Sequence, residues 1–307
     1  MSKRKQAAPP PTPATPLDDF AIFILSHGRP DNIHTLKTLE RANYSGRYFI
    51  VIDNEDKTAD QYKALHGDKV LMFDKAAIAE TFDEGDNFGD RRAVIYARNA
   101  CFGLARSLGI RYFMELDDDY FTFCYRIDDS FNYVDSVYGT HVLDANKVIA
   151  ALLEYFKTIP AASLAVAQSG DFLGGRLGGI ETSINRRRKA MNTFICDTER
   201  PFTFVGRVNE DVNTYTAVQN RGTLFLTFPL LAIQQKQTQH NKGGMTEMYL
   251  DSGTYVKSFY TVMYLPSAVR VKMMGETRRR LHHAIDWDAA VPCILDEKWR
   301  KTRPVAT

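Results

Sequence analysis

Short unbroken apolar runs alternate with stretches of helical period along this chain. Residues 20–25 (FAIFIL), 48–52 (YFIVI) and 70–73 (VLMF) are apolar throughout, the mark of strands covered on both faces. The first run stops at Ser26-His27-Gly28-Arg29-Pro30. Gly28 and Pro30 break the strand there, and Asp31 or Asn32 is expected to cap a helix carrying Ile33, Leu36 and Leu39. Residues 76–91, acidic and glycine-containing, read as a loop. Residues 92–108 repeat apolar positions at Val94, Ile95, Ala97, Cys101, Leu104, Ala105 and Leu108, which predicts a helix closed by Gly109 just past its end. A strand over 110–116 follows, then an aromatic-rich excursion over 120–139 and a helix over 144–158 with Asp144 as N-cap. Further strands are expected near 164–167, 192–196 and 222–228, and a helix over 208–220. Strands separated by helix-length segments predict an α/β fold with a mostly parallel twisted sheet and helices on both faces.

Composition narrows this only a little. The 307 residues are 44% hydrophobic and carry a formal net charge of +2, enough apolar material for a large core and no general polyanion-binding charge. Cys101, Cys124, Cys196 and Cys293 form no C-x-x-C pair, so neither a zinc site nor a disulfide framework is indicated. Reduced thiols point to a cytoplasmic protein. No apolar run approaches the ~18 residues of a membrane span, and Lys3, Arg4 and Lys5 precede no apolar segment of the kind a secretory signal requires. Residues 1–17, rich in proline and alanine, read as a disordered leader.

The candidate chemistry lies at strand ends. Ser26, Asp53, Asp74 and Asp117 each close a predicted strand and would share one rim, where open α/β sheets hold ligands. Asp117-Asp118-Asp119 taken alone suits a solvated turn. At the end of a buried strand, two of the three can instead hold a hard divalent cation, and which two is open. Arg98 faces the same rim and can pair with the acids or with a diphosphate. Glu210 and Asp211 open a helix, where the N-terminal dipole alone explains either acid; the alternative is a general base. His240, with Lys242 and Gly243, lies either in a metal- and phosphate-binding loop or in an ordinary polar glycine loop. His282-His283 is a rival pair. The glycines over 170–180 lack the strand–G-x-G-x-x-G–helix context of a dinucleotide site. Arg186, Arg187 and Arg188, and Arg278 and Arg279 with Arg280, are solvated faces by default. Beside Tyr120 and its aromatic neighbours they would suit phosphates and a stacked base.

In the order Ser26–Pro30, Asp53, Ala97-Arg98-Asn99, Asp117–Asp119 and Asn209-Glu210-Asp211, the chain resembles GT-A glycosyltransferases over residues 20–230. The resemblance implies a nucleotide-sugar half over 18–119, an acceptor half over 120–265 and a C-terminal extension over 266–307. It further implies a UDP-sugar donor held near Ser26, His27, Arg29, Asp53, Arg98, Asp117, Asp118, Lys242 and Gly243. Mn2+ or Mg2+ would sit on Asp117 and Asp119 with His240. Asp211 would be the base of an inverting transfer, with Glu210 as second choice. Segments 26–32, 88–100, 113–120 and 239–245 are similar to the bacteriophage TET/JBP-associated glycosyltransferases. That likeness implies transfer to the hydroxymethyl group of 5-hydroxymethylpyrimidine, foremost 5-hydroxymethylcytosine, in DNA, with Tyr120, Arg186, Arg187, Arg188, Arg278 and Arg279 toward the acceptor. A glycan, lipid or protein acceptor is the alternative, and a non-catalytic DNA-binding module on the same scaffold is a second. The oligomeric state and the donor sugar are not legible.

Overall fold

The structure, a computed structural model, describes residues 17–130, 132–134, 141–168, 190, 193–235, 253, 255–274 and 279–292. Its central strand is β1 (Phe20–Leu25), in which all six residues are buried. β1 pairs in parallel with β2 (Tyr48–Asp53) on one side and with β4 (Tyr112–Asp117) on the other. β2 in turn pairs in parallel with β3 (Val70–Phe73). Beyond β4 come β7 (Phe194–Asp197), β6 (Ala161–Gln168), β8 (Leu224–Gln235) and the edge strand β5 (Tyr120–Tyr125), in the order β3-β2-β1-β4-β7-β6-β8-β5. β7 runs antiparallel to both neighbours, and β5 is antiparallel to β8. The other six strands point the same way, so their C-terminal ends share one rim, as the alternating pattern predicts.

The connection from β4 to β5 shapes that rim. Only Asp118 and Asp119 join the two strands, yet β5 lies four positions away in the sheet. Four inter-strand steps of about 4.8 Å make roughly 19 Å, whereas the short link reaches about 10 Å. The sheet must therefore curl so that β8 and β5 come over the end of β4. β8 supplies the bend: its register against β6 jumps between Phe228 and Ala232, around Pro229, where a proline marks a bulge.

Two layers cover the sheet. On one face α1 (His34–Arg41), α2 (Ala59–His66) and α5 (Ala145–Thr158) pack Leu39, Tyr62, Leu153 and Phe156 against Ile22, Ile24 and Leu116. On the other, α4 (Ile95–Ser107) and α6 (Glu210–Gln219) pack Tyr96, Phe102, Val212 and Tyr215 against Phe23 and Phe113. The C-terminal segment joins this second layer through α7 (Val256–Tyr264), the β9 (Val269–Met274) and β10 (Arg280–Ile285) hairpin, and α8 (Trp287–Ala290). Thr261 Oγ1 of α7 lies 2.8 Å from Asn213 Oδ1 of α6 and accepts from Asn209 Nδ2 at 2.6 Å, and Trp287 stacks on Tyr215 with ring centroids 5.8 Å apart.

Two local expectations change. α1 begins after Ile33 with no side-chain cap, so neither Asp31 nor Asn32 caps it. The expected acidic loop opens with a short helix, α3 (Lys75–Ala79), capped by Asp74 accepting from Ala77 N. Its remainder is pinned: Arg207 ion-pairs with Asp86 at 2.7 Å and Asp90 at 3.3 Å, and Tyr264 Oη donates to the Asp83 carbonyl at 3.0 Å.

Candidate active site

β4 presents alternate side chains to the two faces of the sheet, and this sorts its acids. Glu115 and Asp117 point toward α4 and α6; Asp118 points toward α1 and α2. In the first group Arg98 is the hub. Its guanidinium is only 1% exposed and donates to Glu210 Oε1 at 3.1 Å, Glu115 Oε2 at 3.3 Å and Asp117 Oδ1 at 3.0 Å. Phe194 and Phe204 lie beside the guanidinium, 5.2 and 5.8 Å from its carbon to their ring centroids. One cation thus ties the α4 helix to the end of β4 and the start of α6. Arg98 is thus committed to three carboxylates, the rim acid Asp117 among them, which is the placement of a positioning residue.

That single cation is outnumbered. Burial pushes the Glu115 carboxyl up to about 8 against the pull of Arg98. Burial pushes Glu210 up to about 7, with Asp211 adding to the rise and Arg98 opposing it. Asp117 is raised to about 6 by burial, with the charges of Asp119 and Asp211 pushing further and Arg98 resisting. The charge of Asp211 is therefore felt at Asp117. A left-handed turn places the two α6 acids there: Asn209, the N-cap residue, has φ +64°, a conformation asparagine tolerates better than most residues. Asp211 Oδ1 accepts from Val212 N at 2.7 Å.

On the other face Asp118 is held by the first strand's loop. Ser26 Oγ donates to Asp118 Oδ2 at 2.6 Å and lies 2.6 Å from Tyr62 Oη, and Arg29 ion-pairs with Asp118 at 3.3 Å. Burial raises Asp118 to about 6, with Arg29 and Ser26 opposing. Asp119 is likewise raised to about 6, by burial and by Asp118, while Arg29 and a hydrogen bond from Gln235 of β8 oppose the rise. The curled strand thus meets the acid triplet it was bent toward.

A second polar cluster closes β2. His27 Nδ1 lies 2.8 Å from Asp53 Oδ2, and the buried Lys75 Nζ lies 3.3 Å from the same oxygen. The Asp53 hydrogen bond holds His27 above its usual range. Burial alone would raise Asp53, but His27 and Lys75 outweigh it and hold the carboxyl low. Asp56 fixes the loop by accepting from Gly28 N at 2.8 Å.

Ser26, His27, Arg29, Asp53, Arg98, Asp117, Asp118, Asp119, Glu210 and Asp211 therefore do gather along one rim. Tyr120 is a correction: it is fully buried in the layer beneath α1 and α5, because it is the first residue of a strand that turns inward, and it cannot stack an acceptor base. Arg279 stands exposed in the β9–β10 connection. Arg186, Arg187, Arg188, His240, Lys242, Gly243 and Arg278 lie outside the described residues. Glu115, Tyr62, Asp56 and Lys75 belong to the site without having been singled out. Glu115 carried a signal, a lone charge inside an apolar strand two residues from Asp117.

These buried acids give a checkable pH dependence. Glu115, Asp117, Asp118, Asp119 and Glu210 hold their protons to higher pH folded than unfolded. The folded chain therefore binds more protons between about pH 4 and pH 8, and acidification across that window favours it. Asp53 and Asp86, held low, act oppositely but only below their ordinary range. In EDTA the melting temperature is expected to rise by a few degrees from pH 8 to pH 5.5. A fall over the same interval contradicts the assignment.

The sheet ordered β3-β2-β1-β4-β7-β6-β8-β5, mostly parallel with helices on both faces, is an α/β fold with acids on one shared rim. The chain belongs to the TET-associated glycosyltransferase family, whose sequence profile matches residues 20–244. Among solved structures it is similar to glucosyl-3-phosphoglycerate synthase from Mycobacterium tuberculosis in complex with Mg2+ and UDP, at 9% identity over 87% of each chain with a TM-score of 0.43. A second structure of that synthase, with Mn2+, UDP-glucose and phosphoglyceric acid, matches at 11% identity over 85% of each chain with a TM-score of 0.39. No curated protein matches the chain. Among the described residues no helix is long and apolar enough to cross a membrane.

Proposed function

We propose that this glycosyltransferase moves a sugar from a UDP-sugar to the hydroxymethyl group of a 5-hydroxymethylpyrimidine in DNA, foremost 5-hydroxymethylcytosine, with inversion and with a divalent cation at the rim. The observation that carries the reading is the run Asp117–Asp119 at the end of β4 with Asp117 tied through Arg98 to Glu210, the neighbour of Asp211 at the head of α6, in a chain of this family. The setting is the cytoplasm, where unpaired thiols and accessible DNA coexist.

The donor set fits a hard cation. Asp117 and Asp119 offer carboxylate oxygens whose protons are held by burial and by neighbouring acids, Asp119 acting on Asp117 and Asp118 on Asp119, the condition a divalent ion relieves. Among the described residues no group of three or more His, Cys, Asp or Glu side chains forms a metal site. Two carboxylates plus substrate phosphates is an ordinary arrangement for Mg2+, and His240 is a further candidate ligand. When bound, the cation would offset charge on the departing diphosphate. The chain's own residues do the rest. Asp53 and His27 accept and orient the nucleoside, and Ser26 and Arg29 hold Asp118 still beneath it. Asp211 takes the proton of the acceptor hydroxyl as its oxygen bonds to the anomeric carbon, and the carbon–oxygen bond to UDP breaks. Arg98 holds Glu210, and so the start of α6, against β4.

UDP release from UDP-sugars is the direct test, with duplexes carrying 5-hydroxymethylcytosine or unmodified cytosine as acceptor. Turnover only with the modified duplex is the expected result; equal turnover with both, or with neither, removes the DNA reading. Asp119→Ala is expected to cut turnover about 100-fold or more, the scale of losing several kcal/mol of charge stabilisation, while the melting profile is kept. Unchanged turnover would remove Asp119 from the cation site.

A further inference from the structure

Resting on the DNA reading above, we propose that the β9–β10 ribbon is a docking surface for the phosphate backbone of duplex DNA. The hairpin is two-faced. Residues directly opposite one another in an antiparallel pair lie on the same face, and the register sets Lys272 against His282 and Arg270 against Ala284. By the two-residue alternation Arg280 falls on that same face. The opposite face buries Val269 and His283 toward α7 and α8, where Val269 joins Leu265, Ala268 and Ala290, while Met273 and Leu281 nearer the turn are exposed.

Arg270, Lys272 and Arg280 are all exposed, and none makes an ion pair with another described residue. Asp286, which follows β10, is engaged in capping α8, accepting from Asp288 N and Ala289 N. The cations are thus set on a paired strand ribbon where, among the described residues, no carboxylate ion-pairs with them. Arg270 and Lys272 lie two residues apart, about 6.8 Å along the strand, and the six-residue ribbon runs about 20 Å. That is a line of positive charge matched to a line of phosphates.

The ribbon's mounting ties it to the reaction. It packs on α7, whose Thr261 bonds Asn213 and Asn209 at the start of α6, and α8 stacks Trp287 on Tyr215 of the same helix. α6 carries Glu210 and Asp211. A duplex seated on the ribbon is therefore held at a fixed offset from the proposed base.

The test is the salt dependence of binding to a fluorescent 20-base-pair duplex carrying 5-hydroxymethylcytosine, with the full chain and with the Arg270→Gln/Lys272→Gln/Arg280→Gln variant. Each phosphate contact contributes about 0.9 to the slope of log affinity against log salt, so the variant's slope should be shallower by about 2.7. Between 50 and 200 mM salt the parent chain should lose about 40-fold more affinity than the variant. UDP affinity and the melting profile report that the variant is folded; if it is not, Arg280→Gln alone should lower the slope by about 0.9. An unchanged slope overturns the proposal, as does a variant that loses binding to anionic phospholipid vesicles while keeping its DNA slope. A parent chain that neither binds nor glycosylates the modified duplex overturns the acceptor reading itself, and the ribbon's role with it.

Discussion

Arg98→Met is expected to lower unfolding stability by about 3–5 kcal/mol at pH 8, the scale of stranding buried charge by removing its partner. Methionine fills much of the stem's volume, so the loss is chiefly electrostatic. Glu115 and Glu210, 0% and 7% exposed, would lose the cation that offsets their burial. Both already hold their protons near neutral pH, so acidification should let them discharge, and the deficit should shrink by pH 5.5. Arg98→Lys should not rescue the chain, because a single ammonium cannot reach three carboxylates as the guanidinium fork does. Urea unfolding at both pH values measures this. A deficit under about 1 kcal/mol, comparable to an exposed ion pair, would mean that the hub is dispensable.

This hub also shows where reading the chain stops. The strands were legible because β1, β2 and β4 lie inside the sheet and are apolar apart from Glu115 and the acids at their ends; the rim followed from their shared direction. The α6 acids were legible as a helix start, but the left-handed asparagine before them was not. The partition of β4's acids was not, because it depends on parity: Asp117 and Asp118 are neighbours in sequence yet face different layers, one held by Arg98 and the other by Ser26 and Arg29. Tyr120 misled for a related reason. An aromatic after three acids looks exposed, but the curl of β8 around Pro229 draws β5 inward and buries the ring. Lys75 and Tyr62 were invisible, since nothing local distinguishes a lysine that will meet Asp53 from one that will meet water. Long-range closure of the sheet, set by the short link between β4 and β5, decides each of these.

Asp211→Asn is expected to lower kcat by about 10²- to 10⁴-fold, the usual contribution of a positioned general base, with the apparent KM for the UDP-sugar changed by no more than about threefold. The amide keeps the side chain's size and a carbonyl oxygen to accept from Val212 N, which Asp211 Oδ1 does at 2.7 Å, so the helix start should survive. What is lost is the basic oxygen. Glu210 should not substitute for it: its carboxylate is committed to Arg98 at 3.1 Å. Glu210→Gln is therefore expected to act mainly on stability, since it removes one of the three negative charges around Arg98. Steady-state kinetics of both variants, beside their melting curves, separate the two roles. If Glu210→Gln loses more kcat than Asp211→Asn while its melting curve holds, the roles are reversed and the base is Glu210. If neither variant loses more than about threefold, proton transfer to this pair is not part of the rate-determining chemistry, and the carboxylates at the head of α6 act only to hold the rim together.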